Sequence, residues 1–176
     1  MGLLLRKVND IDRIQRPADS HWLSADDAPA AAVREFAPSK STQSDLSVWW
    51  IGDEGEYLDD VLVAIAAGWS QKGKLPYLVF PEEPIRNAFP LIESEGDTPH
   101  ASASHLHRDI AELTARKVGE LTAIACSQKV REHELEPMEV LDLLEKAVRA
   151  GRLSISELNQ RSKLVAEIRD RLDRST

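Results

Sequence analysis

The chain has 176 residues, enough for a sizeable core, and at 42% hydrophobic and 30% charged it belongs with globular rather than disordered proteins. Its 30 acidic residues against 22 Lys and Arg give a net charge of −8, which argues against non-specific binding to DNA or RNA and suits a basic protein partner. No run approaches the roughly 20 apolar residues of a membrane span.

The opening Met1-Gly2-Leu3-Leu4-Leu5-Arg6-Lys7 does not read as a signal peptide, because its apolar run is short and the charges follow it. Arg6 also stands where a myristoylation signal requires Ser or Thr. Residues 3–8 read instead as a short opening strand. Asp26 to Phe36 reads as a helix: an Asp at the N-cap, Pro29 in the first turn, an alanine interior and Pro38 beyond the end. After a polar loop, Leu46-Ser47-Val48-Trp49-Trp50-Ile51 is β-branched and aromatic, and Gly52 ends it, which predicts a strand. Glu56 to Ala67 predicts a helix closed by Gly68, with Leu58, Val61, Leu62, Ile65 and Trp69 on one face. Leu75 to Phe80 predicts another strand, ending in a Pro81-Glu82-Glu83-Pro84 turn. Strand, helix and strand in such short order predict a βαβ crossover and hence a parallel pair. Asn87 to Ser104 reads as a linker.

Residues 104–131 carry Leu106, Ile110, Leu113, Val118, Leu121 and Ile124 at helical spacing. Pro137 opens a second helix, with Gly151 beyond its end. Ser154 and Glu157 have the spacing of a capping box, with Leu153 and Leu158 as a hydrophobic staple, which predicts a third helix. The expected fold is therefore α+β or α/β: a small three-stranded, partly parallel sheet with two helices, then an antiparallel C-terminal region of three helices. Composition divides at the same place. All nine aromatic residues precede position 90; residues 1–100 hold 9 Lys and Arg against 17 acids, and residues 101–176 hold 13 of each. Residues 1–99 are expected to form the acidic, aromatic-bearing part. Residues 100–176 are expected to form a helical part, packed on the first or mediating self-association.

Four groups of residues invite a functional reading. Trp49 and Trp50, adjacent on a strand, must point to opposite faces; beside Asp53, Glu54, Asp59 and Asp60 they make the composition of an interaction surface for a basic partner. The Gly52-Asp53-Glu54-Gly55-Glu56 loop ends that strand, where a parallel sheet would bind ligands and paired acids could hold magnesium, although it carries no phosphate-loop pattern and its acids also suit capping of the next helix. His105, Asp109 and Glu112 would share a helix face as a nitrogen-and-oxygen metal set, or would be the polar start of that helix. Ser24, His21 and Asp26 lack the surroundings of a nucleophile elbow. Cys126, among Ala123, Ile124 and Ala125, is expected to be a buried thiol; as the single cysteine it cannot make an internal disulfide, which points to a reducing cytoplasm. The leading expectation is a cytoplasmic protein-interaction module, of immunity or antitoxin type at most, with no cofactor and no nucleic-acid or membrane partner. The alternatives are a small metal-dependent enzyme using the Gly52–Glu56 loop and a homo-oligomer assembled through the C-terminal helices.

Overall fold

A computed structural model describes residues 2–9, 30–38, 45–69, 73–96, 98, 100–125, 131–159 and 164–174. They contain strands β1 (Leu3–Lys7), β2 (Leu46–Trp50), β3 (Leu75–Pro81), β4 (Leu91–Glu93), β5 (His107–Ile110) and β6 (Arg131–Leu135). The helices are α1 (Ala30–Phe36), α2 (Leu58–Ala67), α3 (Glu82–Ala88), α4 (Ala115–Ala125), α5 (Pro137–Arg149) and α6 (Leu164–Asp173), with 3-10 turns at Ala101–Leu106 and Ile155–Glu157. The strands form one six-stranded sheet in the order β4-β5-β2-β1-β3-β6, and every pairing is antiparallel.

This sheet overturns the expected three-stranded, partly parallel one. β1 lies between β2 and β3 and pairs antiparallel with both, at Leu4↔Trp50 on one side and Leu4↔Phe80 on the other. β2 and β3 therefore do run the same way, as a strand–helix–strand segment requires, but they are not neighbours. A crossover fixes direction and leaves adjacency open. β1 takes the middle because Leu4 and Leu5, pointing to opposite faces, are both fully buried.

The expected run of three C-terminal helices is also interrupted by β5 and β6, which pair with β2 and β3 from the first half of the chain. Leu106 and Ile110, four apart, read as one helix face; in the structure Leu106 packs on one side of the sheet and Ile110 on the other. The linker expected at 87–104 holds β4 and most of the first 3-10 turn. The expected turn at Pro81–Pro84 opens α3: Pro84 falls in the first turn, where main-chain N–H groups have no intrahelical acceptor to lose. The Ser154–Glu157 capping box forms, but it closes the single turn at Ile155–Glu157 and α6 starts only at Leu164.

Both faces of the sheet are covered. On one, Leu4, Leu46, Val48, Leu78, Phe80 and Ile110 meet Phe36 of α1, Ile85 of α3 and Leu121 of α4. On the other, Leu5, Tyr77 and Val79 meet Val61 and Leu62 of α2 together with Ala103 and Leu106. The outer side of α2, Val63, Ala66 and Ala67, packs against Val140, Leu144 and Ala147 of α5 and Val165 and Ile168 of α6. α2 is thus apolar nearly all round because it is sandwiched between the sheet and the α5–α6 pair.

Candidate functional site

Strand directions gather the residues of interest at one end of the sheet. β2, β3 and β4 finish there and β1, β5 and β6 begin there, which brings together Trp49 and Trp50, the Gly52–Glu56 loop, Glu82 and Glu83, Glu93 to Gly96, and His107 and Arg108. Asp53, Glu54, Glu83, Glu93 and Glu95 are all exposed at this end. Among the described residues its basic side chains are fewer. Arg86 is ion-paired with Glu82, Arg108 with Glu93 at 3.3 Å, and Arg131 lies out at the β6 edge.

The two tryptophans do point to opposite faces, and both are half-buried because both faces are covered. Trp49 meets the His107 ring edge-on, with centroids 5.1 Å apart and planes at 85°. Trp50 lies 5.4 Å from the Tyr57 ring and 5.9 Å from the Arg108 guanidinium carbon. Arg108 is buried: Nη1 donates to the carbonyls of His105 (2.7 Å) and His107 (2.8 Å) while Nη2 reaches Glu93. It ties the 3-10 turn, β5 and β4 into one unit beside Trp50.

The Gly52–Glu56 loop is closed by its own carboxylate. Gly52 and Gly55 take φ of 91° and 87°, a region glycine enters without a Cβ penalty. This turns the N–H groups of Asp53 (3.3 Å) and Glu54 (3.0 Å) onto the Glu56 side chain. Main-chain N–H donors, its own first and that of Glu54 next, hold the Glu56 carboxyl below the usual carboxylate value. Neither Asp53 nor Glu54 is the N-cap of α2; that position is Tyr57, which makes no side-chain cap. Because the sheet is antiparallel, the expectation of a ligand crest at parallel strand ends also loses its basis here.

Asp59 and Asp60 lie in the first turn of α2, where Arg152 holds each at 2.8 Å. His105 is exposed at the end of the 3-10 turn. Asp109 sits in β5 and takes a hydrogen bond from the Ser47 hydroxyl (3.2 Å), and Glu112, at φ 58°, is 3.6 Å from Lys117. The helix that was to align these three does not form. Among the described residues no three His, Cys, Asp or Glu side chains are grouped to hold a metal ion. His21, Trp22, Ser24, Asp26 and Cys126 lie outside the described residues.

The histidine that does reach this end is His107. Its Nδ1 is 2.8 Å from Ser94 Oγ, and Gly96 crosses so close that a Cβ there would meet the ring. Burial is the main cause pushing His107 below its ordinary value, with Arg108 adding to it and Asp109 opposing. The neutral ring and the Ser94 hydroxyl share a hydrogen bond whose donor is set by the imidazole tautomer. Sequence reasoning missed both residues because Ser94 fell in the expected linker and His107 in the expected helix. Their signal was His107-Arg108-Asp109-Ile110, three polar residues and one apolar, too short and too charged to stand out as a strand.

A shallow groove of about 510 Å³ runs along α5, lined by Asp142, Glu145, Lys146, Arg149 and Ala150, and includes no residue of the sheet end. Among the described residues no helix is long and apolar enough to cross a membrane. Comparison with protein-family models, with curated proteins and with solved structures finds no match to this chain.

Proposed function

We propose that this chain is a protein-interaction module that receives a basic partner on the acidic end of its sheet. The observation that carries this reading is the set of exposed acids, Asp53, Glu54, Glu83, Glu93 and Glu95, delivered to one end by three separate strands. Two half-buried tryptophans lie among them. Acids facing solvent cost the fold little and project a negative field that speeds encounter with a basic surface. Aromatic rings beside them supply apolar area that a partner can cover. A reducing cytoplasm belongs to the same reading.

The test is native mass spectrometry of the full chain purified from its own host, beside a variant with Glu54, Glu83, Glu93 and Glu95 all changed to Lys. A basic protein at fixed stoichiometry, lost in the variant and in high salt, supports the reading. If wild type and variant carry the same species, or both run only as the bare chain or its homo-oligomer, the reading fails.

A further inference from the structure

The two edges of the sheet are built differently. On β6, Lys74 reaches across to Glu134 (2.6 Å) and Glu136 (3.0 Å), and His133 stacks on Tyr77 with ring centres 5.1 Å apart. Charged side chains and the following Pro137 guard that edge against another strand. β4 is guarded more lightly among the described residues: Pro90 precedes it and its single charged side chain, Glu93, reaches Arg108 of β5 at 3.3 Å. Ile92 is 51% exposed there and the Glu93 side chain 82% exposed.

The register shows which backbone groups of β4 turn away from β5. Ser94 N donates to His107 O and Ala111 N to Pro90 O, so positions 90, 92 and 94 turn toward β5. In an antiparallel ladder the alternate positions turn away. Leu91 and Glu93 therefore present their N–H and C=O groups outward. Side chains alternate as well: Glu93 and Glu95 share one parity, Ile92 and Ser94 the other.

We propose that the free edge of β4 is where the partner docks, by adding an extended segment in which Lys or Arg alternates with apolar residues. This rests on the basic-partner reading above and names its mode. Basic residues of the added strand lie opposite Glu93 and Glu95, an apolar residue covers Ile92, and the outward groups of Leu91 and Glu93 complete the ladder. A second copy of this chain is the poorer occupant, since it brings another eight net negative charges to an acidic edge.

The probe is the nonapeptide Lys-Val-Lys-Val-Lys-Val-Lys-Val-Lys, titrated into the ¹⁵N-labelled full chain, beside the same peptide N-methylated at every amide so that neither of its edges can donate to a ladder. Amide shifts should centre on Leu91 to Glu95, and methylation should weaken binding about tenfold, as expected when main-chain bonds carry the contact. Glu93→Pro and Glu93→Gln both give up the ion pair with Arg108, but only the proline also removes an outward N–H, so it should weaken binding more than Glu93→Gln. Should the proline variant misfold, Ile92→Lys supplies the second reading, because that side chain is exposed and its loss should also weaken binding. Equal binding of the two peptides, or shifts centred on Glu54 or Glu83, overturns edge docking and leaves the basic-partner reading standing. Failure of the peptide to bind while the salt-sensitive complex with the basic protein persists has the same meaning. Dimerisation through β4 without peptide replaces the partner with a second copy and overturns the proposal. Loss of the salt-sensitive complex itself removes the broader reading.

Discussion

At the end of the sheet where β1 finishes, charge is used inside the molecule. The buried Glu35 carboxylate of α1 takes hydrogen bonds from Asn9 N (2.7 Å) and Nδ2 (3.1 Å), Lys7 Nζ lies 4.1 Å from the centre of the Trp69 ring, and Lys74 bridges two glutamates. At the other end Glu54, Glu83, Glu93 and Glu95 face solvent around the tryptophans. At the first end Glu35 is turned inward onto main-chain and amide N–H groups, and Glu134 and Glu136 hold Lys74 at the surface. At the second, Glu93 holds Arg108, while Glu54, Glu83 and Glu95 face solvent and contribute field rather than stability.

The largest effect expected from this contrast is at Glu35. Glu35→Ala should cost about 3 kcal/mol, since it strips the Asn9 N–H of its acceptor and removes the carboxylate that offsets the burial of Arg6. Arg6 already feels that burial, which brings its guanidinium down to about 10, against the opposing pull of Glu35. Glu54→Gln at the other end should stay within about 0.5 kcal/mol. Urea unfolding midpoints decide it: equal losses at both positions would erase the contrast.

The same contrast bears on what could be read from the chain. The strands at 3–8, 46–51 and 75–80 and the helices around 56–67 and 137–150 were legible because apolar side chains recur at the period of the element. β4, β5 and β6 were not. β6 is Arg131-Glu132-His133-Glu134-Leu135, an edge strand whose charges serve solvent and negative selection against pairing rather than a core. β5 buries Arg108, whose hydrogen bonds come from carbonyls that no periodicity announces. Strand order was out of reach for a related reason. Local pattern fixes which segments extend, whereas the seat of β1 between β2 and β3 is decided by burial of Leu4 and Leu5 on both faces at once. Of the candidate site, Trp49, Trp50 and the Gly52–Glu56 loop were legible as neighbours in sequence. Ser94, His107, Arg108 and Glu93 join them only through the unread strands.

His107 gives the acidic end a pH dependence of known sign. Its native value is depressed by burial, so the unfolded chain, near about 6.5, binds the proton more readily than the native state. Stability from this group is full above that value and is lost as pH falls from there toward the depressed native one. Wild-type protein should therefore lose more stability between pH 7.5 and 5.5 than His107→Gln, whose side chain stays neutral throughout. Parallel slopes for the two proteins would show that His107 titrates as freely as in the unfolded chain. Glu56 acts in the same direction but lower: its depressed carboxyl contributes above the usual carboxylate value and loses that contribution on further acidification.

A stability effect about as small as that at Glu54 is expected where the acidic end borrows a base from afar. Arg152, beyond α5, holds Asp59 and Asp60 of α2, whose side chains remain 50% and 41% exposed. Pairs this wet are screened, so Arg152→Ala should cost only about 0.5 kcal/mol, and a double-mutant cycle with Asp59→Asn should recover most of it. Its effect on association should be the more visible one. α2 starts at the acidic end, so releasing its two aspartates adds negative charge beside Glu54 and should speed encounter with a basic partner at low salt. The gain should vanish in about 0.5 M salt, where the Debye length is shorter than the spacing of these groups from a docking surface. A rate that fails to rise at low salt would place Asp59 and Asp60 outside the field that the partner meets, and would confine the working acids to the strand ends.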